Sequence, residues 1–231
     1  MSLTNRKIIV LSLGGSIIIP KTGFDIKFLR GFKKMILEFV RQGKRFIIVC
    51  GGGATSRAYQ AAVKQVSELV SEDVDWLGIH ATRLNAQFIR SIFREWANPV
   101  VVKNPTKKIK WGESILVGAG WQPGCSTDFD AVLLAKTYGA KTIINLSNIK
   151  YVYDSDPKEN PRAKKLTAIP WKDFRKIVGD RWIPGANLPF DPVASREADK
   201  LKMKVIVMSG ADLKEVQKAI AGKKFTGTTI N

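Results

Sequence analysis

Apolar residues arrive along this chain in short blocks whose internal spacing alternates between two kinds. "KIIVLSL" (7–13) is an almost unbroken apolar run that stops at Gly14-Gly15, as a strand buried on both faces does. The next block, "DIKFLRGFKKMILEFVRQG", reads as an amphipathic helix, with Asp25 a candidate cap and Gly43 the stop. "RFIIVC" (45–50) is a second strand running into Gly51-Gly52-Gly53. Leu77, Ala81, Leu84, Phe88 and Ile92 then recur at helical spacing and predict a long helix over about 75–97.

"PVVVK" and "SILVGA" are strand candidates separated by the polar, basic "NPTKKIKWGE". A helix ending near Tyr138 and stopped by Gly139 follows, then the strand "KTIINLS" and a hairpin or excursion, "YVYDSDPKENPRAKKL". Asp191-Pro192 is a strong helix start, because a carboxylate caps and a proline ring suits the first turn. The strand "KVIVMS", the helix "DLKEVQKAIAG" and a last strand "FTGTTI" close the chain. Strands alternating with helices predict an α/β fold: a mainly parallel sheet sandwiched between helices, built as one domain over residues 1–231.

Composition narrows this little. Hydrophobic residues make up 45% and charged residues 25% of 231, as in ordinary soluble domains. No apolar run is long enough to span a membrane, and no signal-peptide pattern opens the chain, so a cytoplasmic protein is expected. Two cysteines, Cys50 and Cys125, cannot build a disulfide framework or a four-ligand zinc site, and no metal site is expected. The formal charge of +18 favours polyanions in general. The basic residues are nevertheless scattered and lack interleaved aromatics, so a nucleic-acid partner is not expected.

The carboxyl ends of the strands carry "LGGS", "CGGGATSR", "GAGWQPGCSTD" and "NLSN". Ligands gather at that edge of a parallel sheet, and glycine lets backbone N–H groups approach an anion. The junctions Gly51–Arg57 and Gly120–Asp128 each end at a helix start, where unpaired N–H groups add to the attraction. No Walker-type glycine loop is present, and Gly51-x-Gly53 is followed three residues later by Ser56, so the dinucleotide fingerprint fails as well.

Taken in order, "LGGS", "CGGGATSR", "DWLGIHATRLNA", "GWQPGCSTDFDAV", "NLSNIKYVYDSDP", "PFDPVAS" and the terminal "GTTI" resemble the motifs of the amino acid kinase superfamily, over about residues 7–230. Within it they resemble the uridylate (UMP) kinases of the short archaeal type. The most specific pieces are Asp75-x-x-Gly78-x-x-Ala81-Thr82-Arg83 with Asn85, and Pro123-Gly124-x-Ser126-Thr127-Asp128.

The resemblance implies ATP-dependent phosphorylation of UMP to UDP, with Mg2+, by a homo-oligomer, commonly a hexamer. It implies that Ser12, Leu13, Gly14, Gly15 and Ser16 line the ATP phosphates, with Gly53 and Arg57 on the same side. Gly52 would contact UMP, Asp75 its ribose, and Gly120, Trp121, Gln122, Pro123, Gly124, Cys125, Ser126 and Thr127 would wrap the UMP end. Ser147, Asn148, Tyr153 and Asp156 would frame the adenine nucleotide. Arg57 and Asp191 would be catalytic, Asp191 by orienting cations near the transferred group.

Each residue also has a plain structural role open to it. Asp75 could cap the long helix, and Ser126 or Thr127 the next one, with Asp128 and Asp130 as first-turn acids. Tyr153 could pack a hairpin, and Arg57 could be a solvated helix residue. Two positions depart from the resemblance. Ser12 stands where many members carry a lysine, and Lys21, Lys150, Arg83 or magnesium are the candidate replacements. Lys150-Tyr151 stands where Asp-Gly is usual, so the turn there should differ. The rival readings are a kinase of the same fold acting on another small phosphate or carboxylate, and a non-catalytic nucleotide- or oxyanion-binding relative.

Overall fold

The computed structural model describes residues 8–157, 159–182 and 188–231. The elements run β1 (Ile8–Leu13), α1 (Gly15–Ile18), α2 (Ile26–Arg41), β2 (Arg45–Cys50), α3 (Gly53–Val66), α4 (Ser71–Ile92), β3 (Ala97–Val102), β4 (Ile115–Gly118) and α5 (Thr127–Tyr138). They continue with β5 (Thr142–Ser147), β6 (Val152–Tyr153), β7 (Lys165–Leu166), β8 (Ala168–Ile169), α6 (Trp171–Val178), α7 (Pro192–Lys200), β9 (Lys204–Ser209), α8 (Leu213–Ile220) and β10 (Thr228–Ile230). Lys7, the first residue of the run 7–13, and Lys158, in the excursion 151–166, lie outside the described residues.

Eight strands form one sheet in the order β3-β4-β2-β1-β5-β9-β10-β8. All neighbours are parallel except β9 and β10, so the mainly parallel sheet read from the sequence is present. Strand β1 sits between β2 and β5, so the chain departs from it to β2 on one side and later returns to β5 on the other. At such a reversal the loops leaving the carboxyl ends of the strands diverge and open a crevice.

The pleat sorts β1 between two cores. Ile9, Leu11 and Leu13 pack with Phe32, Ile36 and Phe39 of α2 and with Ile89 of α4. Val10 faces the other way, with Ile47, Val49 and Leu116, against Ala131, Val132 and Ala135 of α5 and Ala194 of α7. Both layers are therefore covered by helices. The same period of two puts Ser12 on the α5 side, which decides its partner below.

Helix starts and stops follow the predicted chemistry. Asp25, Ser126 and Asp191 cap α2, α5 and α7 by accepting the N–H of Phe28, Asp128 and Ala194. Gly139 closes α5 in the left-handed region, at φ 74°. The excursion is a small hairpin in which β6 and β7 pair antiparallel.

The long helix is displaced from the range 75–97. It begins at Ser71, ends at Ile92, and Ala97–Val102 is strand. Pro99 excludes helix at Asn98, the residue before it, and the chain has already left the helix at Phe93. Asp75 thus lies in the second turn and is not a cap. Helix α6 has no counterpart in the sequence reading. It is only eight residues long, and its buried Trp171, Phe174 and Val178 are too few to show a clear period.

Candidate active site

One face of α4 organises the cleft at the carboxyl edge. Asp75, Gly78, Thr82 and Asn85 recur at steps of three and four, so they share that face. Asn85 Nδ2 donates to the carbonyls of Gly51 (2.7 Å) and Gly52 (3.0 Å), which fixes the first glycine turn. Thr82 Oγ1 accepts the Gly120 N–H at 2.8 Å, and Asp75 Oδ2 accepts the Gly124 N–H at 2.9 Å. Arg83, one position on, donates to the carbonyls of Gly120 (3.3 Å) and Trp121 (3.1 Å). At Gly78 the two helices pack closely: a Cβ there would sit 3.0 Å from Gln60 Nε2 and 3.3 Å from Ser56 Oγ, both side-chain atoms of α3. The motif Asp75-x-x-Gly78-x-x-x-Thr82-Arg83-x-Asn85 is therefore a brace for two turns at once.

The first turn interlocks with the end of β1. Gly14 N–H donates to the Leu146 carbonyl and Gly51 N–H to the Leu13 carbonyl, both at 2.9 Å. A Cβ on Gly15 would lie 2.0 Å from the Gly53 nitrogen, and Gly53 itself has φ +63°. Only glycine permits backbones this close. The second turn, 120–126, is instead propped from outside by α4 and by Asp191. Asp191 Oδ2 accepts the Ser126 N–H at 2.7 Å while Oδ1 accepts the Ala194 N–H at 2.8 Å.

A cleft of about 370 Å³ runs between the two turns. It is lined by Ser12, Gly14, Gly15, Gly52, Gly53, Arg57, Asp75, Gly120, Gln122, Cys125, Ser126, Thr127, Ser147, Asn148 and Asp191 among the residues named from sequence. Arg57, Asp75 and Thr127 thus surround a single space. Leu13 is fully buried in the core, and Ser16, Trp121, Pro123, Gly124, Tyr153 and Asp156 do not line the cleft. Tyr153 belongs to the β6–β7 hairpin, and Asp156 follows it. Lys150 and Tyr151 make their bend with no positive φ, unlike a turn built on glycine.

Several lining residues carry no ligand contact in the sequence reading, although Gly78, Thr82 and Asp128 stand in its motifs: Ser56, Gln60, Gly78, Ile79, Thr82, Asp128, Asp130, Asn145, Trp182, Leu188, Pro189 and Pro192. Asp128 and Asp130 had been open as ordinary first-turn acids, and their depth in the site could not be read from spacing alone.

Among the described residues Arg57 is the one Lys or Arg that lines the cleft, against four aspartates. Of the candidates for the missing lysine, Lys21 and Lys150 are exposed away from it, and Arg83 is engaged by the second turn's carbonyls. Ser12 Oγ instead donates to Asp128 Oδ1 at 2.8 Å. Burial pushes the Asp128 carboxyl up to about 7, with Asp191 adding to the rise and the Ser12 bond opposing it. Burial likewise lifts Asp130 to about 8, against the Trp121 backbone amide and Arg83. Near neutrality the cleft floor therefore carries protons where its charges would repel one another. Cys125 is pushed up to about 12 by burial and by Asp130, Asp191 and Asp75, and Cys50 is raised by complete burial. Neither thiol is a nucleophile at neutral pH.

The fold that carries this cleft matches known proteins. The model of the amino acid kinase family matches residues 7–209. The chain belongs to the amino acid kinase family. It is 32% identical to a uridylate kinase of Methanococcus aeolicus over 96% of this chain and 99% of that one. A uridylate kinase of Methanospirillum hungatei is 31% identical over 96% and 94%. The crystal structure of uridylate kinase from Archaeoglobus fulgidus superimposes with a TM-score of 0.80 at 30% identity, covering 96% and 99%. The UMP kinase structure from Bacillus anthracis shares the amino acid kinase fold, with a TM-score of 0.76 at 22% identity.

Proposed function

We propose that this chain is an ATP-dependent UMP kinase: ATP and UMP give ADP and UDP. The observation that carries the reading is the single face of α4 bracing both turns, Asn85 at Gly51–Gly52 and Asp75 at Gly124. Two anion-binding elements so tied can hold two nucleotides with their phosphates head to head. Nearly full-length similarity to uridylate kinases supports the choice of substrate.

In the reaction a phosphate oxygen of UMP attacks the γ-phosphorus of ATP, and the bond to the β,γ-bridging oxygen breaks. The nucleophile is already anionic, so no strong general base is needed, and catalysis is positioning plus electrostatics. The glycine turns at 14–15 and 51–53 present backbone to the donor phosphates, and Arg57 supplies the mobile cation. Asp75 takes ribose hydroxyls, and Asp191 holds the acceptor loop through the Ser126 N–H.

Magnesium is part of the substrate, carried on the ATP phosphates, where it offsets their charge. Among the described residues no group of three or more Asp, Glu, His or Cys is placed to hold a metal ion. Each Asp191 oxygen accepts one backbone N–H bond, so Asp191 orients the loop and keeps lone pairs with which to orient a cation near the transferred group.

We further read the chain as one domain acting in pyrimidine nucleotide synthesis in the cytoplasm. No helix among the described residues is long and apolar enough to cross a membrane. A homo-oligomer, by resemblance a hexamer, is supported by α3, which buries none of its residues and leaves Tyr59 and Val66 exposed. Purified chain given Mg-ATP and UMP should release ADP in a coupled assay, with CMP a poorer acceptor. Folded protein that binds ATP yet releases no ADP with UMP would overturn the reading in favour of a non-catalytic binder.

A further inference from the structure

The residues that follow α6 bring an unexpected side chain to the cleft. Gly179 ends α6 at φ 75°, and three residues later Trp182 lines the cleft, as do Leu188 and Pro189. Its indole N–H donates to Asp75 Oδ2 at 3.3 Å, the same oxygen that accepts the Gly124 N–H. Asp75 Oδ1 has no hydrogen-bond partner among the described residues. Two donors from two different segments therefore fix one oxygen of a half-buried carboxylate and leave the other for a ligand. Pro189 is itself anchored, its carbonyl accepting Asn145 Nδ2 at 3.1 Å.

The cleft lining around Asp75 offers three kinds of surface. The glycine backbone of the 120–126 turn suits a phosphate, Asp75 suits hydroxyls, and Trp182, Leu188 and Pro189 are apolar. Those are the kinds of group that a nucleoside monophosphate carries. Tryptophan suits such a place because its ring is flat and apolar while its N–H needs a partner. Building on the UMP kinase reading, we propose that Trp182 is a specificity-determining residue of the acceptor half: its N–H sets the Asp75 carboxylate for the ribose, and its ring walls the base. A small acceptor without a sugar would gain nothing from the Trp182–Asp75 pair.

The test uses the intact chain and two variants. Trp182→Phe keeps a ring and removes the donor, and Trp182→Ala removes both. Trp182→Phe should raise KM for UMP about tenfold, with kcat and KM for ATP within about twofold. Trp182→Ala should raise it further and flatten the preference for UMP over CMP. UMP should also change the tryptophan fluorescence of the unaltered chain, and that change should be lost in Trp182→Phe. Because fluorescence reads binding without turnover, a chain that binds UMP through Trp182 but releases no ADP defeats the kinase reading and keeps this one. Unchanged KM for UMP in Trp182→Phe, an equal loss on both substrates, or a UMP signal that survives the substitution would overturn it. A chain that neither binds nor phosphorylates UMP would overturn both.

Discussion

The two glycine-bearing turns at the carboxyl edge do similar work by opposite means. The turn at Gly51–Gly53 is backbone against backbone: its glycines touch Gly15 across a gap no side chain could enter. The turn at 120–126 is side chain against backbone, held by Asp75, Thr82, Arg83 and Asp191. A turn of the first kind is rigid and indifferent to pH. One of the second kind depends on charges and on where helices place them.

The sharpest way to break this contrast is Gly15→Ala. Its Cβ would meet Gly53 N at 2.0 Å and Gly52 C at 2.6 Å, so a turn must move and the donor cradle with it. Misplacing reacting groups by about 1 Å costs about a hundredfold, and this clash demands more. ADP release with UMP should fall by roughly a thousandfold or more, with a lower melting temperature. Activity within tenfold of the parent would show that the two turns need not touch.

Arg57→Ala comes next and separates charge from scaffold. Arg57 is exposed on α3, so its loss should leave thermal stability within about 0.5 kcal/mol. It is nevertheless the cleft's one lining Lys or Arg among the described residues, and kcat/KM should drop about a hundredfold, with Lys restoring only part. Equal losses of stability and activity would make Arg57 a structural residue instead.

How far these two turns were legible in the sequence follows from the same contrast. The first was readable because glycine has one steric reason to cluster where a strand meets a helix. The sheet, the caps Asp25, Ser126 and Asp191, and the stop at Gly139 were readable for equally local reasons. The second turn was legible as a loop but not as a braced one, since its props sit on α4 some 40 residues earlier and on the α7 cap some 65 later. Only a resemblance, not periodicity, pointed to Asp75, and nothing pointed to Trp182, which is 107 residues from Asp75 in sequence. The displaced start of α4 had the same origin: Val70 offers no side-chain cap, so no local signal marks Ser71.

Asp191→Asn probes a prop of the second turn. Its two oxygens serve Ser126 N–H and Ala194 N–H, and an amide has one acceptor oxygen, so one N–H loses its partner. About 1 kcal/mol of stability should go with the cap, and KM for UMP should rise about tenfold. Denaturant melts and initial rates check both. A variant with normal KM would mean that the loop is held adequately by α4 alone.

The smallest effect lies in the pH dependence of stability, and it should reside in Asp128 and Asp130, in the first turn of α5 directly after the second glycine-bearing turn. Asp130 titrates near 8 and Asp128 near 7 in the fold, both raised chiefly by burial, whereas an unfolded aspartate titrates near about 4. Between those values the native chain keeps protons that the unfolded chain has released. Stability is therefore fully present below about pH 4 and is lost as pH rises through 7 to 8. Asp128, Asp191 and Arg83 face Asp130, and Ser12 and Asp191 face Asp128, so the two acids titrate as a coupled set. The melting temperature of the ligand-free chain should fall by about 5 °C between pH 5.5 and 8.5. Asp130→Asn, neutral throughout and of the same shape, should flatten the upper part of that fall. The difference between the two curves isolates this site from every other titrating group. Parallel curves would place the pH sensitivity elsewhere and leave the start of α5 as indifferent to protons as the first turn.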